Sequence, residues 1–136
     1  MSNPAKKDGA SHEARFTAEA LMLGFDVLDP IGDYLPYDRL LLNSRGEAFK
    51  VQVKGTRHRQ KGKQSYKLIA ATGKSGTKVL LSPDECDVFA AYVVPAEAWY
   101  LIPVEKLTAK SVCLSPQNES SVGKYEPFRD AWNVFA

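Results

Sequence analysis

"PYDRLLLNSRGEAFKVQVKG", residues 36–55, decides how this chain folds. Two alternating stretches joined by a Gly-containing turn read as a β-hairpin. Ser44, Arg45 and Gly46 make its loop, a type I turn followed by a left-handed residue, which Gly adopts without steric cost and which forms a G1 bulge. Asn43 then faces Glu47. Counting back pairs Leu42 with Ala48, Leu40 with Lys50 and Asp38 with Gln52. A two- or four-residue loop would instead set Asp38 opposite Val51. Along the second strand, Phe49, Val51 and Val53 share one face while Lys50, Gln52 and Lys54 share the other. Lys54 follows Gln52 on the same side, about 7 Å further along.

An Asp, an amide oxygen and an ammonium converging at one end of a hairpin admit two readings. One is an oxygen-donor site for a hard cation such as Mg²⁺, with Lys54 free to hold a water or an anionic oxygen. The other is the polar face of a sheet carrying an incidental salt bridge. A helical pattern from about Gly9 to Leu23 bears on the choice. Phe16, Ala20 and Leu23 fall on one stripe, and Gly24 is placed to end the helix. Glu13 falls on the same stripe. A carboxylate aimed at whatever the helix packs on is costly unless something pairs with it, so Glu13 is a candidate second acid for the site.

Outward from the hairpin, residues 1–9 read as a flexible polar tail and residues 10–136 as one domain. "FDVLDP" is a short strand closed by the loop "PIGDYLPY". Beyond the hairpin come three more strand candidates, "SYKLIAA", "DVFAAYVV" and "AWYLIPV", the last two joined through Pro95, Ala96 and Glu97. Residues 109–122 read as a surface connection. In "EPFRDAWNVFA", Phe128, Ala131, Trp132 and Phe135 recur at helical spacing, with Pro127 suited to a first turn. Helix, strand cluster, helix suggests an α+β or mixed α/β domain, two terminal helices packed on a central sheet. Trp99 and Trp132 read as core, Tyr37 and Asp87 as structural, His12 as a helix-start residue.

At 136 residues, 44% apolar and 25% charged, the chain has the size and composition of one globular domain, which argues against disordered and collagen-like classes. No apolar run approaches the ~18 residues of a membrane span, and the polar start lacks a signal-peptide core, so a cytoplasmic protein without a membrane partner is expected. Cys86 and Cys113 lie far apart and outside any Cys/His cluster; both are expected to be small buried residues rather than zinc ligands or a disulfide. The net charge of +2 makes no case for a polyanionic partner, but its distribution is uneven. "RHRQKGKQSYK" places Arg57, Arg59, Lys61, Lys63 and Lys67 just after Lys54. A solvated loop is the plain reading. Cations leaving the strand that carries the site would also surround a bound phosphate backbone, which makes DNA the expected partner. Lys74 and Lys78 would extend that groove, and His58, Gln60 or Gln64 would reach base edges.

Together, Glu13, Pro36-Tyr37-Asp38 and Gln52-Val53-Lys54 resemble the PD-(D/E)XK nuclease superfamily. The resemblance is nearest to the small group I intron-associated homing endonucleases that use Gln-x-Lys. It covers residues 9–103, including Gly24, Val27, Pro30 and Gly32, and only weakly the C-terminal third. It implies a restriction endonuclease-like mixed sheet flanked by helices and metal-dependent hydrolysis of a phosphodiester. By that resemblance Asp38, the Gln52 side-chain oxygen and the Val53 backbone carbonyl would hold Mg²⁺ (or Mn²⁺). Lys54 would orient or deprotonate the attacking water, and Glu13 would complete the shell. A neutral Gln52 removes a charge from that shell and loosens metal binding. One site cuts one strand, so a homo-oligomer, dimer or tetramer, is expected for double-strand cleavage. Two alternatives are a catalytically inactive nucleic-acid-binding domain of the same fold and a nuclease selective for branched DNA.

Overall fold

In the computed structural model the described residues are 3–73, 76–117 and 123–136; Lys74 lies outside them. The first element, α1, spans Pro4–Met22. It begins inside the stretch expected to be a tail because the Asn3 side chain accepts from the backbone N–H groups of Ala5 and Lys6, and Pro4 occupies the first turn. It ends as expected at Gly24, whose φ is 94°. There the Phe25 N–H reaches the Ala20 carbonyl and the Gly24 N–H reaches Leu21. The buried stripe is His12, Phe16 and Ala20. Leu23 leaves it, because as the C-cap it turns away with the chain and stays 50% exposed.

The strands are β1 (Asp26–Leu28), β2 (Arg39–Leu42), β3 (Ala48–Thr56), β4 (Tyr66–Ile69), β5 (Ala71–Thr72), β6 (Val79–Leu80), β7 (Val88–Val93), β8 (Ala98–Pro103) and β9 (Ser111–Leu114). Five of them form a mixed sheet in the order β1-β2-β3-β7-β8, parallel only between β3 and β7. The domain is therefore α+β with a mixed sheet. The hairpin register is the expected one: Leu42 pairs with Ala48 and Leu40 with Lys50. Gly46 has φ 76° and donates to Asn43, while the Asn43 N–H donates to Glu47. Asn43 is itself buried, its amide donating to the Phe135 carbonyl.

Strand alternation sorts the core onto the two faces of the sheet. Val51, Val53, Ala90, Tyr92, Trp99 and Leu101 pack with Phe16 and Ala20 of α1. Phe89, Ala91, Val93, Tyr100 and Ile102 point the other way, onto Tyr66, Leu68, Val112 and Leu114 of β4 and β9. The stretch "SYKLIAA" does not join the main sheet. It splits at Ala70, whose N–H bonds to Lys110 and whose carbonyl accepts from Leu81, so β4 pairs with β9 and β5 with β6. Residues 109–122 thus contain a strand where a plain surface connection was expected. Its Cys113 is exposed, contrary to expectation, while Cys86 is buried.

The second terminal helix does not form. Residues 126–128 and 132–135 are separate 3₁₀ turns, interrupted at Asp130, which has φ 50°. Asp130 instead clamps β8: its N–H donates to the Trp99 carbonyl and its carboxylate accepts from the Trp99 N–H. Phe128 therefore packs on one face of the sheet, and Trp132 and Phe135 on the other.

Candidate active site

Where β3 runs beyond the start of β2, and α1 crosses it, a cleft of about 260 Å³ is lined by Glu13, Asp38, Gln52, Val53 and Lys54, with Asp8 and His12 at its helix side. Asp38 sits one residue before β2. Its N–H continues the ladder to the Val51 carbonyl (2.8 Å), and its Oδ2 then accepts from the Val53 N–H (2.8 Å), taking the place of the strand partner that β2 no longer supplies. In an extended strand the carbonyl of a residue leaves on the same side as its N–H, so the Val53 carbonyl also opens toward Asp38.

Gln52 is buried at 7% exposure. Its Nε2 donates to the carbonyls of Pro36 (3.2 Å) and Ala71 (3.3 Å), which fixes the orientation of the amide, since a flipped group would set oxygen against oxygen. Oε1 is left buried with no protein partner among the described residues. Such an orphan costs about 1–3 kcal/mol. It is the observation on which the chemistry of the site turns.

The carboxylates differ in their partners. Burial raises the Asp38 pKa above its ordinary value, against the pull of the Val53 N–H and of the Lys54 and Arg39 charges. Glu13 is raised too, first by burial and then by the nearby charge of Asp38, with Arg39 opposing. Arg39 holds Glu13 at 3.1 Å while also binding Asp29 and the Thr17 hydroxyl. Glu13 is therefore inward, as its place on the stripe implies, yet engaged by a cation from β2. Lys54 is exposed at the cleft and close enough to lower the Asp38 pKa.

Sequence reasoning missed two neighbours. His12 is buried, not a helix-start residue, because Gly55 leaves room for its ring; a Cβ on Gly55 would meet that ring at 2.4 Å. Its Nε2 lies 3.2 Å from Asp8, and Asp8 binds Arg57 at 2.8 Å, which holds the Asp8 pKa below its ordinary value. The periodicity of Phe16 and Ala20 extends back to position 12, and that signal would have found it. Arg39 carried no comparable signal.

Arg57, Arg59, Lys61 and Lys63 come together around a second, larger cavity of about 920 Å³, which Pro95 and Gln117 also line. A tight turn with Gly62 at φ 72° closes this loop. The Lys63 N–H donates to Gln60 and the Gln60 N–H to Ser65. The Gln60 side chain accepts from the Ser65 hydroxyl, so it braces the turn. Lys67 stands apart on β4, paired in register with Cys113. Among the described residues this larger cavity has no carboxylate in its lining, whereas Glu13, Asp38 and Asp8 line the smaller cleft.

A family profile described as PD-(D/E)XK endonuclease matches residues 3–133. The chain belongs to the PD-(D/E)XK endonuclease family. The solved structure of a bacterial homing endonuclease, I-Ssp6803I, superposes with a TM-score of 0.84 at 24% identity, covering 97% of this chain and 93% of that one, which establishes the shared fold. No curated protein matches the chain. PD-(D/E)XK nucleases generally use divalent metals. Among the described residues of this endonuclease no group of three His, Cys, Asp or Glu side chains is gathered to hold one. Glu13, instead of joining Asp38 in such a group, is paired with Arg39 at 3.1 Å. The oxygens of a chemistry suited to a hard cation at the cleft are the Asp38 carboxylate, the orphaned Gln52 Oε1 and the Val53 carbonyl.

Proposed function

We propose that this PD-(D/E)XK endonuclease is a divalent-metal-dependent DNA endonuclease whose reactive centre is Asp38, Gln52, Val53 and Lys54, with Glu13 behind it. The observation that carries this reading is the buried Gln52 oxygen without a partner. A sequence selected only for stability would be expected to place an apolar side chain there, and a ligand oxygen accounts for the cost. Asp38, Gln52 Oε1 and the Val53 carbonyl would hold Mg²⁺ or Mn²⁺. When bound, the cation supplies charge neutralisation at the phosphoryl oxygens and a lowered pKa for the attacking water.

The chain's own groups do the rest. Asp38 is fixed by the Val53 N–H, so its free lone pairs are preoriented. Lys54, exposed at the mouth of the cleft, positions the water or meets charge developing on the phosphate. Glu13 adds negative potential while Arg39 sets its direction. The loop from Arg57 to Lys63 holds the DNA backbone beside the cleft. Because one such centre cuts one strand, the working form is a homo-oligomer.

The capture of Glu13 by Arg39 favours a second reading, a DNA-binding domain whose catalysis has been lost. Incubation with supercoiled plasmid and with branched DNA separates the two. Nicking with Mg²⁺ or Mn²⁺ that EDTA abolishes is the expected result, and preferential cutting of the branched substrate would mark a structure-selective enzyme. DNA binding without nicking under either cation would leave the binding domain.

A further inference from the structure

The β4–β9 ribbon is a part of the molecule that the cleavage site does not use. It packs one face, Tyr66, Leu68, Val112 and Leu114, into the core. Its other face exposes Lys67, Ile69, Ser111 and Cys113, with Lys67 opposite Cys113 and Ile69 opposite Ser111. Cations bracket that face. The Lys61–Lys63 turn lies at one end, where Gln60 approaches Cys113 at 4.0 Å. Lys110 and Lys78 lie at the other, joined by a hydrogen bond from the Lys110 ammonium to the Lys78 carbonyl. Both segments that build the ribbon are free of acids: no Asp or Glu occurs between Glu47 and Asp84, or between Glu105 and Glu119. In a chain of net charge only +2, that is a strong local segregation of sign.

We infer that the exposed face of the β4–β9 ribbon enters the DNA major groove and reads base edges, with Lys67 and Ser111 as its polar readers. This rests on the DNA-endonuclease reading and adds to it the surface that gives sequence preference. A two-stranded ribbon, with strands about 4.8 Å apart, fits a groove about 12 Å wide. Lysine suits guanine O6 and N7, a serine hydroxyl accepts or donates, and an aliphatic side chain such as Ile69 suits the thymine methyl. The flanking lysines fall where the two phosphate strands border the groove, so charge positions the duplex and the central side chains discriminate. The ribbon is also held in register with the cleft. Ala71, just beyond β4, accepts from the Gln52 amide.

Cys113 provides the test on the unmodified chain. Cys86 is buried, and burial pushes its thiol up to about 12, so a maleimide labels Cys113 alone. In EDTA, saturating duplex DNA should slow that labelling at least about tenfold. Unchanged labelling while a band shift shows full occupancy overturns the inference and leaves the nuclease reading intact. Protection that grows with protein concentration in the absence of DNA assigns the face to a second copy and also overturns it. No DNA binding at all defeats both. As a second arm, duplexes selected from a randomised pool by the unmodified chain should show a base preference. A Lys67→Ala, Ser111→Ala variant, checked for an unchanged melting curve, should relax that preference at each contacted position by about 5- to 150-fold, the range for one lost base contact. An unaltered preference in that variant, or none in the unmodified chain, contradicts base reading.

Discussion

The cleft and the basic loop are neighbours along one strand, yet they are built on opposite principles. In the cleft, Gln52 and His12 are buried and Asp38 and Glu13 half-buried, their hydrogen bonds are fixed, and desolvation pushes the Asp38 and Glu13 carboxylates above their ordinary pKa. In the loop, cations surround an open cavity, and apart from the Asp8–Arg57 pair they need no particular geometry. The difference teaches where to look for rate and where for affinity. Burial preorganises a group to act on the reacting phosphate, whereas solvated charge draws in any phosphate backbone. Changes in the cleft should therefore depress cleavage with DNA affinity intact, and changes in the loop should do the reverse.

The largest effect should come from Asp38→Ala, which removes the one charged oxygen ligand of the proposed centre. Nicking should fall below detection while the melting temperature moves by only a few degrees, because a desolvated charge is lost along with its single backbone bond. Full activity in that variant would remove Asp38 from the chemistry. Lys54→Ala should follow, lowering the rate at saturating Mg²⁺ and DNA by about 100- to 1,000-fold with little change in the dissociation constant. A weaker dissociation constant at an unchanged rate would put Lys54 with the loop cations and erase the contrast. Neutralising Arg57, Arg59, Lys61 and Lys63 together should act the other way. The salt dependence of binding should lose close to one unit of slope per phosphate contact, about three to four in all, with the single-turnover rate preserved at saturation. An unaltered slope would make the loop a solvated one.

Smaller effects sharpen the energetics of the cleft. Gly55→Ala drives a methyl into the His12 ring and should cost about 1–3 kcal/mol, measured by denaturant unfolding. Asp38 and Glu13 both have raised folded-state pKa values. Their contribution to stability is therefore fully present below the unfolded carboxylate range of about 4 and is lost as pH rises through the higher folded values. Without divalent cation, the melting temperature of the protein minus that of an Asp38→Asn variant should fall with increasing pH across that window. Mg²⁺ should restore it most on the alkaline side, where the carboxylates are ionised. A difference flat in pH would show that Asp38 is not desolvated.

Much of this was legible in the sequence where the determinants are local. The Ser44–Gly46 turn specifies the β2–β3 register by itself, and the register sets Asp38 beside Gln52 and Val53. Glu13 was legible from its place on the helical stripe, though its capture by Arg39 depends on a side chain whose alternation gives no hint of a partner on α1. β9 was not legible, because its Val112 and Leu114 are two apolar residues in a polar stretch, and only the distant Tyr66 and Leu68 make them a strand. The C-terminal segment has a helical spacing of apolar residues that serves both faces of the sheet. Asp130 breaks it by bonding to Trp99, which no local pattern encodes. The inward place of His12 was legible from the stripe it shares with Phe16 and Ala20, but the room for its ring depends on the absence of a side chain at Gly55, forty-odd residues away in the chain.

The claim at the centre of this account is that the unpartnered Gln52 oxygen is a metal ligand. The most direct measurement is the Mg²⁺ concentration for half-maximal nicking in the unmodified chain, in Gln52→Glu and in Gln52→Leu. Adding a charge to the shell should lower that concentration in Gln52→Glu, without necessarily raising the maximal rate, and removing the oxygen should raise it steeply in Gln52→Leu. Equal half-maximal concentrations in all three folded proteins would contradict the account.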